Sequence, residues 1–95
     1  MLEKTQEREF VKRLKRDYNI RALKFKDPAR TGAPDRLIIL PKGRCLFIEF
    51  KRIGETLRED QEGYHEWLRA LGHDVIICYT ATGALAQVEE RILNG

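Results

Sequence analysis

Apolar residues recur along this chain with two different periods. From Thr5 to about Tyr18, Phe10, Val11, Leu14 and Tyr18 fall at helical spacing, which predicts an amphipathic helix. Residues 20–25 read as a short strand. Leu37 to Leu40 and Cys45 to Ile48 are compact runs of β-formers, and Pro41-Lys42-Gly43 between them supplies turn chemistry, so the two runs should pair as an antiparallel hairpin. Thr56-Leu57-Arg58-Glu59 has the form of a capping box opening a second helix. That helix carries Leu57, Gln61, Tyr64, Leu68 and Leu71 on one stripe and stops at Gly72. Residues 75–79 form a β-branched run suited to a buried strand, and Thr82 can cap a last helix with Leu85, Val88 and Ile92 on its apolar side. The order αβββαβα predicts an α/β domain, a central mixed sheet flanked by helices on both sides.

The hairpin register decides which side chains meet. A three-residue loop with Pro41 at the first corner of a type I turn and Gly43 left-handed sets Leu40 opposite Arg44 and Asp35 opposite Glu49. Asp35, Leu37, Ile39, Cys45, Phe47, Glu49 and Lys51 then share one face, and Ile38, Leu46, Ile48 and Phe50 share the other. Both faces are apolar, so the hairpin is central to the sheet.

Two carboxylates brought together at the end of such a hairpin repel one another, and burying them unpaired costs several kcal/mol. Lys51 balances one of the two charges. A divalent cation balances both, and hard carboxylate oxygens suit Mg²⁺ or Mn²⁺. Taken singly, an Asp and a Glu-x-Lys more often form a structural ion-pair cluster at a strand end; their juxtaposition favours the metal. Gln61 interrupts an apolar stripe, and a buried amide needs a partner: a water on the metal, Lys51, a phosphate, or the loop of residues 52–55. Glu7 lies on the apolar stripe of the first helix, either in a wet first turn favoured by the helix dipole or directed at the site.

Pro34-Asp35 followed by Glu49-Phe50-Lys51 on the next strand resembles the PD-(D/E)xK nuclease signature. The longer ordered set, Gly32-x-Pro34-Asp35, Glu49-x-Lys51, Leu57-x-x-x-Gln61 and Gly72, with Glu7 upstream, is similar to the VRR-NUC branch, the virus-type replication-repair nucleases, over nearly the whole chain. The resemblance implies a restriction-endonuclease-like core. It also implies a metal held by Asp35, Glu49, the Phe50 carbonyl and Glu7, with Lys51 and Gln61 completing the catalytic set.

At 95 residues there is room for one core, so residues 1–95 are expected to form one domain. No run of about 18 apolar residues could span a membrane, and the densely charged first 19 residues do not look like a signal peptide, so an intracellular place, cytoplasmic or at the nucleoid, is expected, in a bacterial or phage setting. Cys45 and Cys78 fall in predicted strands and read as reduced core residues, with no zinc spacing. His65 and His73 flank the ends of helical turns and read as surface residues.

Charge is distributed unevenly. Residues 1–52 hold 15 Lys/Arg against 7 Asp/Glu, whereas residues 53–95 hold 3 against 8. The positive half contains the carboxylate pair, which points to a polyanionic partner. Lys12 and Arg16 on the first helix, Arg30 and Thr31 in the loop before Asp35, and Arg52 after Lys51 are the candidate phosphate contacts. Together with the resemblance, these features predict a divalent-metal-dependent DNA endonuclease hydrolysing phosphodiester bonds. Its expected substrate is branched DNA such as four-way (Holliday) junctions, and its expected state is a homodimer with two symmetric sites. Two other readings remain: a nucleic-acid-binding module that keeps the fold without turnover, and a small interaction protein whose hairpin charges are structural.

Overall fold

The computed structural model describes residues 2–94. Its elements are α1 (Glu3–Tyr18), β1 (Ala22–Lys24), β2 (Arg36–Ile39), β3 (Cys45–Phe50), α2 (Glu59–Ala70), β4 (Asp74–Cys78) and α3 (Ala81–Leu93), with a 3-10 turn at Pro41–Gly43. The sheet runs β1-β2-β3-β4; its first two pairings are antiparallel and β3 with β4 is parallel. Helix α2 is the crossover that a parallel β3–β4 pair requires. Among the described residues no helix is long and apolar enough to cross a membrane.

The hairpin has the expected register. Leu37 pairs with Phe47 and Ile39 with Cys45, and the Leu40 amide donates to the Arg44 carbonyl at 2.9 Å. The loop differs in its interior. Lys42 takes φ 65° and ψ 32°, and Gly43 follows at φ 72°, so two successive residues are left-handed where a type I turn needs one.

Alternation then sorts β2 and β3 between two layers. On one side Ile38, Leu46, Ile48 and Phe50 pack against Phe10 and Leu14 of α1 and Ala84, Leu85 and Val88 of α3. The Phe10 and Phe50 rings meet at 5.5 Å. On the other side Phe47 and Val75 pack against Tyr64 and Leu68 of α2, with Phe25 and Leu37 at the margin.

Helix boundaries correct several expectations. The second helix begins at Glu59 rather than at the Thr56 box, because Gln61 bends back so that its Oε1 accepts from the Arg58 amide at 2.9 Å. Leu71 leaves the buried stripe and is exposed, since the helix has ended at Ala70. Thr80 caps the last helix, its hydroxyl accepting from the Gly83 amide at 3.0 Å. Thr82 instead accepts from Arg13 of α1.

Candidate active site

The loop between β1 and β2 is clamped onto α2, and this delivers Asp35 to the sheet. Asp27 accepts from the Ala29 amide at 2.9 Å and from the Tyr64 hydroxyl at 2.8 Å. Gly32, buried at φ 95°, lies so close to α2 that a Cβ there would stand 2.3 Å from the Asp60 carbonyl oxygen; only glycine combines that dihedral with that approach. Pro34 is fully buried behind it, and the Phe25 amide donates to the Asp35 carbonyl at 3.1 Å.

Asp35 therefore enters the sheet one residue before β2, facing β3. Its Oδ2 accepts from the Phe50 amide at 2.7 Å, and its carboxyl lies within hydrogen-bonding reach of Glu49. Burial pushes the Asp35 carboxyl up to about 7; the Phe50 amide opposes that rise, and the charges of Glu49 and Glu7 add to it. A cation between the carboxylates would remove that repulsion.

Glu49, the penultimate residue of β3, is only 3% exposed. Its Oε2 accepts from Gln61 Nε2 at 3.3 Å, while its Oε1 is buried with no hydrogen-bond partner. Gln61 thus spends one end of its amide on the start of α2 and the other on Glu49. Lys51, just beyond the end of β3, is also buried.

Glu7 stands near enough to raise the Asp35 carboxyl, but its Oε2 accepts from Arg36 Nε at 2.6 Å in a largely buried ion pair. A ligand role for Glu7 would fall to its other oxygen, or follow release of Oε2 by Arg36. At Phe50 the backbone amide is engaged with Asp35. Among the described residues no three His, Cys, Asp or Glu side chains converge as a ready-made metal cluster. The donor set is the hard-oxygen pair Asp35 and Glu49, and the orphaned Glu49 Oε1 is the kind of atom a divalent cation satisfies; the residues fit such an ion.

The candidate phosphate contacts are dispersed. Lys12 lines a groove of about 470 Å³ with Lys4, Arg8, Lys24 and Arg36, and Glu7 joins this groove to a hollow that also holds Lys26 and Asp35. Arg16 is paired with Asp17 on the surface. Arg30 lies over the Tyr64 and Trp67 rings at 5.0 and 5.8 Å, Thr31 bonds the Asp60 carboxylate, and the Arg52 amide donates to Glu55 at 2.8 Å.

His65 corrects the sequence expectation most sharply. It is fully buried, with Nε2 3.5 Å from Glu49 Oε1. The signal was its spacing, four residues after Gln61, which puts both on the same face of α2. Arg36 was missed as well, although a charge at an apolar-face position of β2 and another on the stripe of α1 invite pairing. His73 is exposed as expected, and both cysteines are free thiols.

A mixed four-stranded sheet with α1 and α3 on one side and α2 on the other, carrying a carboxylate pair where the β2–β3 hairpin opens, defines a restriction-endonuclease-like domain. It superimposes on a solved structure described as "VRR_NUC domain" with TM-score 0.76 and 27% identity, over 96% of this chain and 94% of that one. The chain shares the fold of that VRR-NUC domain, as the resemblance in its sequence implied. No family model matches it. A curated relative, "Putative nuclease p44" of Acyrthosiphon pisum secondary endosymbiont phage 1, is 48% identical over 56 residues. The matched segment is 59% of this chain and 60% of that relative.

Proposed function

We propose that this domain is a divalent-metal-dependent endonuclease that hydrolyses phosphodiester bonds in DNA. The observation that carries the reading is the Asp35–Glu49 pair: adjacent carboxyls, Asp35 half-buried and Glu49 buried with one oxygen unpartnered. Arg36, next to Asp35 in sequence, is bound to Glu7 rather than to this pair. The VRR-NUC fold and the nuclease name of the phage relative agree with this reading.

Asp35 and Glu49 would hold Mg²⁺ or Mn²⁺, with the Phe50 carbonyl and Glu7 as further ligands directly or through water, and the ion would supply electrophilic activation of the phosphodiester and acidification of the attacking water. Gln61 fixes Glu49 relative to α2. Lys51 orients the attacking water and offsets negative charge growing on the phosphate. Lys12, Arg30, Thr31 and Arg52, with Arg16 once it leaves Asp17, track the backbone beyond the scissile bond, joined by Lys4, Arg8, Lys24 and Lys26 around the groove.

The substrate is branched DNA, four-way junctions above all, cut by a homodimer. A domain this small offers one site and little surface, whereas resolving a junction needs symmetric nicks, and a two-fold dimer presents two sites related as the junction arms are. The test is cleavage of labelled junction, flap and linear duplex with Mg²⁺, Mn²⁺ or chelator, alongside light scattering. Metal-dependent cutting of the junction by a dimer is the expected result. Cleavage in chelator at an undiminished rate would overturn the metal reading, and a monomer that cuts linear duplex as readily would overturn the junction assignment.

A further inference from the structure

Helix α2 brings two side chains to Glu49, and only one of them has an assigned task. Gln61 Nε2 donates to Oε2. One turn later His65 sits fully buried, Nε2 3.5 Å from the other oxygen, and neither ring nitrogen has a hydrogen-bond partner. Glu49 Oε1 is equally buried and equally without one. Two orphaned buried polar atoms facing each other across 3.5 Å is a costly arrangement for a resting fold, since each forgoes the hydrogen bond it would make in water. It becomes sensible if the pair closes when Glu49 takes up its working orientation.

We propose that His65 is a positioning residue for Glu49: its Nε2–H donates to Oε1 and, opposite Gln61, pins the carboxylate in the plane from which it binds the cation. This rests on the reading of Glu49 as a metal-binding carboxylate. The geometry requires a proton on Nε2. Hydrogen-bonded partners of metal-binding side chains typically change metal affinity by about 10- to 100-fold when removed.

Three measurements on the full chain test it. Long-range ¹H–¹⁵N NMR of the wild-type imidazole at pH 8 should show Nε2 protonated; a ring protonated on Nδ1 alone overturns the proposal without any variant. Calorimetric Mn²⁺ titration of His65→Leu should give a dissociation constant about 10- to 100-fold weaker. His65→Gln, whose amide nitrogen can reach the position of Nε2, should recover most of that loss. Cleavage by His65→Leu should fall in kcat at saturating DNA with KM for DNA unchanged. Wild-type Mn²⁺ affinity in the Leu variant overturns the proposal. So does an equal loss in the Leu and Gln variants, which would mean the ring only fills space. If the wild type itself neither binds Mn²⁺ nor cleaves DNA, the nuclease reading is what has failed.

Discussion

The two faces of the β2–β3 hairpin are built from the same pair of strands and yet do opposite things. On the α1/α3 side, Leu46, Ile48 and Phe50 alternate into a continuous apolar core with Phe10, Leu14, Ala84 and Val88. On the α2 side, Phe47 begins an apolar layer that gives way to Glu49 and Lys51, with Gln61 and His65 above them. Among the described residues, the buried polar or charged ones, Glu49, Lys51, Gln61 and His65, lie on or next to that second layer. The lesson is a division of labour: carboxylates cost free energy where water is excluded, and they persist because the opposite layer supplies the stability.

The comparison is broken most severely by one substitution on each face. Glu49→Gln and Asp35→Asn should each lower cleavage by about a thousandfold or more, the loss of several kcal/mol of electrophilic stabilisation, while stability in chelator holds or rises because repulsion is removed. Single-turnover kinetics beside urea unfolding checks both halves. Phe10→Ala should do the reverse: about 3–5 kcal/mol of stability lost from a fully buried ring, a large part of the ~5–15 kcal/mol a domain has. Cleavage by Phe10→Ala should fall only in step with the unfolded fraction.

A smaller effect is expected where the loop meets α2. Gly32→Ala should cost about 1–3 kcal/mol from the φ 95° backbone alone, and more from the 2.3 Å approach to Asp60. Because that loop delivers Asp35, metal affinity should weaken with it, which calorimetry would detect. A Gly32→Ala protein with unchanged Mn²⁺ affinity would separate loop packing from the site.

A pH dependence is expected that only the charged face should show. Asp35 titrates near 7 in the folded, metal-free protein against about 3.9 in the unfolded chain, so the native state holds the proton more tightly. Its contribution to stability is complete below about pH 4 and is lost as pH rises through 7. The stability difference between Asp35→Asn and wild type, measured in chelator, should therefore grow between pH 4 and 7 and level off above. Mn²⁺ affinity should rise over the same interval, since the ion displaces that proton. A flat difference from pH 4 to 8 would mean the carboxyl is not raised.

Local rules made much of this arrangement legible before any coordinates. A strand alternates with period two and a three-residue loop leaves few registers, so Asp35 opposite Glu49 followed from counting, even though Lys42 adopts a left-handed conformation that its residue type did not announce. The apolar stripes of α1 and α3 found their layer for the same reason. Tertiary approach was harder to read. Whether His65 is surface or core depends on how far α2 sinks onto the sheet, and that is set by Gly32 and Tyr64 rather than by residues beside it. Arg36 reaches Glu7 because α1 crosses β2 at one angle, which helical periodicity does not specify. The start of α2 was misread for a simpler cause: Thr56 heads a plausible box, but Gln61 caps the helix itself while holding Glu49.

The account stands on Asp35 and Glu49 being held apart from water and ready for a divalent cation, and thermal unfolding at pH 8 with and without Mn²⁺ addresses that most directly. For wild type, Mn²⁺ at a hundredfold excess over its dissociation constant should add about 2.7 kcal/mol. Glu49→Gln should match or exceed wild type in chelator and gain nothing from Mn²⁺. A wild-type protein indifferent to Mn²⁺, or a Gln variant that gains as much as wild type, would contradict the account.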